Sequence, residues 1–216
     1  MKIVVVGAAG AIGSKLVGQR LENGQAVTGV VRKTEQAETL RHAGAAASMA
    51  DLASVDALTG TFEGHDAIVF VAGSKGKALD DVDRDGAINS AKVAEAAGVK
   101  RFVLLSSIYA GRADEGPDAL RAYFHAKHIA DGFIKGTGLD YTIIRPSFLT
   151  DEAPTGLFEV AEAFDGMDAT ITRDDVATLF AAAIDAPSTS RQTLEVINGE
   201  VPANEALQSP FPSDTG

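Results

Sequence analysis

The chain contains no cysteine. Disulfides, thiolate catalysis and cysteine-ligated zinc are therefore excluded, and the composition fits a reducing cytoplasm, the location expected here. Positive charge is scarce. Against 30 Asp and Glu stand 19 Lys and Arg, a net charge of −11, and no long basic run occurs. Such a surface repels a phosphate backbone, so nucleic acid is not an expected partner. No apolar run reaches membrane length. The run that could mimic a signal peptide, "MKIVVVGAAGAIG", is interrupted by glycine after a few residues and reads better as a buried first strand. No repeat or low-complexity linker divides the 216 residues, a length that suits one domain with a sizeable core.

What is present is an alternation. Short β-branched runs at 2–6, 26–31, 46–49, 67–71, 101–106, 141–145 and 193–198 are separated by helical stretches near 11–22, 34–43, 54–60, 84–97, 118–135 and 173–186. Runs buried on both faces and joined by helices predict an α/β fold, a doubly wound parallel sheet in three α/β/α layers, over residues 1–207. After Arg145 the rhythm becomes irregular, with Pro146 and Pro154 blocking regular continuation. In an open α/β sheet ligands sit beyond the carboxyl ends of the strands, so 146–172 is expected to be a lid or pocket wall. Residues 208–216, with two prolines and small polar residues, are expected to be a flexible tail.

Gly7-Ala-Ala-Gly10-Ala-Ile-Gly13 follows the first strand and opens a helix. Gly7 permits the tight turn, Gly10 the approach of a phosphate, and Gly13 close packing of helix on sheet. The helix N-terminus at Ala11 and Ile12 offers unpaired N–H groups and partial positive charge to a pyrophosphate. A Rossmann-like dinucleotide site is the expectation. An acidic residue at the end of the second strand would select NAD, but this chain has Arg32 and Lys33 there. A guanidinium fork suits a 2′-phosphate, so NADP(H) is preferred, with NAD(H) admitted. Further along, Asp51 and Leu52 are placed to meet the adenine, and the small Ala72 and Gly73 to let the ribose pass.

Together with "VDRDGAINSAKVAEAAGVKRFVLLSS" (82–107), Tyr123-x-x-x-Lys127, "LDYTIIRPSFLT" (139–150) and "RDDVA" (173–177), these markers resemble the atypical branch of the short-chain dehydrogenase/reductase superfamily over roughly residues 1–200. The likeness is to small bacterial NAD(P)-dependent epimerases or oxidoreductases. That resemblance implies a catalytic role for Ser107, Tyr123 and Lys127. Tyr123 would exchange a proton with the substrate oxygen while hydride moves at carbon. Lys127 would favour the phenolate and donate to the nicotinamide ribose, and Ser107 would polarise the carbonyl. Pro146 matches the proline that flanks the nicotinamide, with Ser147 and Phe148 beginning the substrate wall. Where better-known members carry asparagine, this chain has Asp83, which either pairs with a basic group or marks a changed site.

His125 and His128 are read as helix-surface contacts rather than metal ligands, and Tyr109 as a reserve proton donor. The expected partner is a small alcohol or carbonyl compound, on a monomer or homodimer. Two alternatives stay open. One is a flavin- or quinone-type NADPH reductase with Tyr123 dispensable; the other is a non-catalytic NADP-sensing regulator.

Overall fold

The apolar runs of the sequence become neighbours in one twisted sheet. A computed structural model describes residues 1–165 and 169–208. In chain order the elements are β1 (Lys2–Val6), α1 (Ala11–Glu22), β2 (Ala26–Val31), α2 (Thr34–His42), β3 (Ala46–Met49), α3 (Val55–Phe62) and β4 (Ala67–Phe70). There follow α4 (Asp85–Ala96), β5 (Arg101–Leu105), α5 (Arg121–Lys135), β6 (Asp140–Pro146), β7 (Phe148–Thr150), β8 (Leu157–Ala161) and β9 (Thr170–Thr172). The chain continues through α6 (Arg173–Ile184), β10 (Gln192–Asn198), β11 (Val201–Pro202) and α7 (Ala203–Ala206).

Among the described residues the main sheet has nine strands in the order β11-β8-β10-β6-β5-β4-β1-β2-β3. From β3 to β10 every pairing is parallel, while β8 and β11 add antiparallel pairs at one edge. The strand order reverses between β1 and β4, which opens a crevice at their carboxyl ends. Alternation along each strand fills both faces. Ile3 and Val5 pack with α1, α2 and α6, whereas Val4 and Val6 pack with α3, α4 and α5. Two buried faces explain why the strands read as nearly unbroken apolar runs. Phe102 on β5 is fully buried, and its truncation to Ala would cost about 4 kcal/mol.

At the amino end of the sheet, Arg101 is held by the carbonyls of Asp140 and Ala183 and the hydroxyls of Thr142 and Thr189. That one side chain ties β5 and β6 to α6.

Among its described residues the stretch 146–172 is not irregular. It contains β7, β8 and β9, with β7 paired in parallel to β9 and β8 joined to the edge of the main sheet. Prolines 146 and 154 do interrupt the chain, but strands resume beyond them. Residues 166–168 of that stretch, and 209–216 of the expected tail, lie outside the described residues. Among the described residues no helix is long and apolar enough to cross a membrane.

Candidate functional site: the carboxyl edge of the sheet

The glycine turn is built by the absence of side chains. Gly7 lies at φ +91°, a region that disfavours any Cβ, and a Cβ there would sit 2.6 Å from the amide nitrogen of Ala72. At Gly13 a Cβ would fall 2.2 Å from the Gly7 carbonyl oxygen, so helix and turn are in direct contact. Gly10 is the exposed N-cap of α1, extended, with no side-chain cap. The first amides of α1, on Ala11, Ile12 and Gly13, therefore have no intrahelical acceptor. A pyrophosphate fits this cradle in both space and charge.

Around the turn the other expected contacts fall on the same edge. Arg32 and Lys33 are exposed at the end of β2, and their backbone amides share the Gln36 side-chain oxygen. Asp51 is exposed and caps its own turn through the Ala53 amide, which uses one carboxylate oxygen. Leu52 is buried against Gly86, where an added Cβ would lie 2.9 Å from a Leu52 methyl. Ala72 and Gly73 follow β4, with Ala72 against the Gly7 backbone.

Asp83 answers one question left by the sequence: it pairs with a base. It lies 1% exposed in a π-helical turn, Leu79–Arg84, that leads into α4. One carboxylate oxygen is 3.5 Å from Lys127 Nζ, and the other accepts from the amide and hydroxyl of Ser74. Lys127 is equally buried, donates to the Leu105 carbonyl at 3.0 Å and sits 5.7 Å from the centre of the Tyr123 ring. An ammonium at this depth is tolerable only with such partners. Asp83 thus links the loop after β4 to the inner face of α5, and Lys127 carries the link on to the end of β5.

Tyr123 is half-buried on α5, one turn before Lys127, and Ser107 is half-buried just past β5. Tyr109 is buried, with ring centres 5.3 Å from Phe124 and 6.4 Å from Phe148. Pro146 ends β6, and Ser147 donates its amide to Val196, while its buried hydroxyl has no partner among the described residues. His125 and His128 are exposed on the outer face of α5.

Three buried carboxylates on this side of the molecule have roles that the sequence does not signal, although Asp175 lies in the "RDDVA" marker. Asp131, two turns past Tyr123, accepts from Ser106 and from Arg145. Burial pushes its carboxyl above the usual range, opposed by Arg145, Ser106 and Lys127. Glu195 on β10 accepts from Arg112 at 2.8 Å and from the Phe164 amide at 2.9 Å. Burial raises this carboxyl too, against the pull of the Phe164 amide and of Arg112. Asp175, at the start of α6, accepts from the amides of Thr155 and Gly156 and from Asn198. Burial alone would raise it, but those donors outweigh burial and hold it below the usual range. It fastens the turn before β8 to α6.

The profile of the NAD(P)H-binding family matches residues 7–187. The chain is 39% identical to a Bacillus subtilis protein named an uncharacterized sugar epimerase, YhfK, over 96% of this chain and 99% of the other. The crystal structure of the oxidoreductase YlbE from Lactococcus lactis superposes with a TM-score of 0.88 at 34% identity, covering 96% of this chain and 95% of that one. The chain belongs to the NAD(P)H-binding family, on an atypical short-chain dehydrogenase/reductase fold.

Proposed function

We propose that the protein is an NADP(H)-dependent oxidoreductase or epimerase-type enzyme acting on a small alcohol or carbonyl compound, with Tyr123 as acid/base. The observation that carries the reading is the placement of the Tyr123 ring 5.7 Å from a buried Lys127 Nζ that is anchored to the Leu105 carbonyl, two residues before Ser107. When bound, the nicotinamide supplies or accepts hydride. Tyr123 donates its phenolic proton to the carbonyl oxygen as that oxygen gains charge, and recovers it from solvent. Ser107 donates a hydrogen bond to the same oxygen. Lys127 holds positive charge under the ring of Tyr123, balanced in part by Asp83, and the Asp83–Ser74 bonds fix the loop carrying Ala72 and Gly73 along the cofactor.

The glycine turn with Ala11 and Ile12 would hold the pyrophosphate, Arg32 and Lys33 the 2′-phosphate, Asp51 and Leu52 the adenine, and Pro146 the nicotinamide. Residues 1–207 would act as one domain, with 146–172 as pocket wall. Two supports favour a wall over a swinging lid: β8 is part of the sheet, and Asp175 pins the turn before it.

The test uses NADPH deuterated at C4 with a panel of ketones and aldehydes. Deuterium at the carbinol carbon of the product is expected; NADP binding without transfer across the panel would leave a sensor instead. The cofactor preference is tested by Arg32→Asp, expected to weaken NADPH at least tenfold, about 1.4 kcal/mol, while sparing NADH. Equal losses for both cofactors would remove Arg32 from the 2′-phosphate.

A further inference from the structure

The chain is poor in aromatics, with ten Phe and three Tyr, thirteen in all. Five of those thirteen gather in one cluster beside the expected catalytic edge: Tyr109, Tyr123, Phe124, Phe148 and Phe164. Tyr109 and Phe124 are buried in it, while Tyr123, Phe148 and Phe164 are only half-buried and form its open side. These residues come from three separate segments, the turn after β5, the start of α5 and the stretch 148–164. A shared face therefore needs something to hold the segments together.

Glu195 does this. It is 1% exposed, at the centre of β10, and none of the steps above uses it. Its carboxylate accepts from Arg112, whose guanidinium lies 5.6 Å over the Tyr109 ring, and from the backbone amide of Phe164. One buried charge thus fixes two of the aromatic segments relative to the sheet. The three cations packed beside the aromatic cluster are each paired with a carboxylate. Arg112 faces Glu195 at 2.8 Å, Arg145 faces Asp131 at 2.9 Å and Lys127 faces Asp83 at 3.5 Å. These three pairs leave no unpaired buried cation beside the rings to recruit a carboxylate or phosphate on the substrate.

We propose that Glu195 is a positioning residue that sets the aromatic face beside Tyr123, and that this face selects an uncharged, planar carbonyl substrate, an aryl ketone or aldehyde. The proposal rests on the assignment of Tyr123 as proton donor. The ring of such a substrate stacks against Phe148 and Phe164 and its carbonyl turns to Tyr123 and Ser107. Hydride leaves C4 of the reduced nicotinamide for the carbonyl carbon, the C=O π pair moves to oxygen, and that oxygen takes the Tyr123 proton. NADPH is oxidised and the ketone becomes a secondary alcohol. A saturated ring of equal size loses the stacking, and a charged substituent gains nothing in exchange for its lost water.

The test compares acetophenone, cyclohexyl methyl ketone and 4-acetylbenzoate with NADPH. It also measures calorimetric binding of the same three to the NADP-loaded protein, a readout that does not need turnover. Acetophenone is expected to bind roughly tenfold more tightly than either of the others. Glu195→Ala should erase that preference by raising the acetophenone KM roughly tenfold, with kcat and NADPH affinity nearly unchanged. Glu195→Gln, which keeps an acceptor for the Phe164 amide, should fall between, and it decides the matter if Glu195→Ala does not fold. Equal affinities for the three compounds in the wild type would overturn the proposal, as would a Glu195 variant that keeps the preference while losing kcat. Preferential binding of acetophenone with turnover intact in Tyr123→Phe would instead keep the aromatic face and remove Tyr123 from its assigned role.

Discussion

The two halves of the carboxyl edge are made by opposite means. Around the glycine turn after β1 the site is a space kept empty: Gly7, Gly10 and Gly13 let backbone meet backbone, and the groups offered to a pyrophosphate are amides. Around β5, β6 and β10 it is a space kept full, where Lys127, Asp83, Asp131, Arg145, Glu195 and Arg112 form three ion pairs, five of the six side chains being almost wholly buried. The glycine turn itself needs no side-chain chemistry, and the choice between NADP and NAD falls to the proposed contacts of Arg32 and Lys33. The second half spends desolvation energy to hold a few rings and hydroxyls in place, and the proposed substrate choice would reside there. Damage to the first should therefore abolish cofactor binding, and damage to the second should shift stability and substrate preference.

The largest effect is expected in the charged half. Asp131→Ala leaves Arg145 buried without its partner and should cost about 4 kcal/mol, read as a lower urea midpoint with unchanged slope. In the glycine half, Gly13→Ala drives a Cβ into the Gly7 carbonyl and should cost about 2 kcal/mol, yet remove NADPH binding altogether. If Asp131→Ala loses cofactor affinity as completely as Gly13→Ala does, the division of labour between the halves fails.

The smallest effect is a pH slope. Asp175 is held below the usual carboxylate range, so its contribution is complete above about pH 4 and is lost as pH falls through its lower folded value. Asp131 is pushed up, so its contribution has the opposite sign: complete below about pH 4, then lost as pH rises through the raised value. Denaturation midpoints taken from pH 3 to pH 7 should show Asp175→Asn flattening the acid limb. Asp131→Asn should flatten the rise of instability toward neutral pH. Parallel profiles in variant and wild type would contradict both assignments.

The glycine half was legible in the sequence because its signals are local. A β-branched run, three glycines at fixed spacing and an amphipathic helix all lie within the first 22 residues, and each physical cause acts over a few residues. Tyr123 and Lys127 were legible as one face of a helix for the same reason. The charged half was not. Glu195 in "TLEVIN" looks like the solvent-facing member of an alternating strand, and only a partner 83 residues away makes it a buried anchor. Arg145 at the end of "YTIIR" is likewise unremarkable until Asp131 approaches from α5. Asp175 was part of a recognised motif, but its work on Thr155 and Gly156 depends on where β8 returns, and β8 itself was hidden by its short length and flanking Pro154 and Gly156. The aspartate at position 83 is visible in the sequence as a departure, but only the π-helical turn that aims it at Lys127 gives it a partner.

The central claim is that Tyr123 supplies the substrate proton over a cofactor held by the glycine turn. The most direct test is single-turnover reduction of acetophenone by Tyr123→Phe, alongside the NADPH dissociation constant of the same preparation. The expected rate is lower by at least about a hundredfold, with cofactor affinity unchanged. A rate equal to that of the wild type, at equal cofactor affinity, would contradict it.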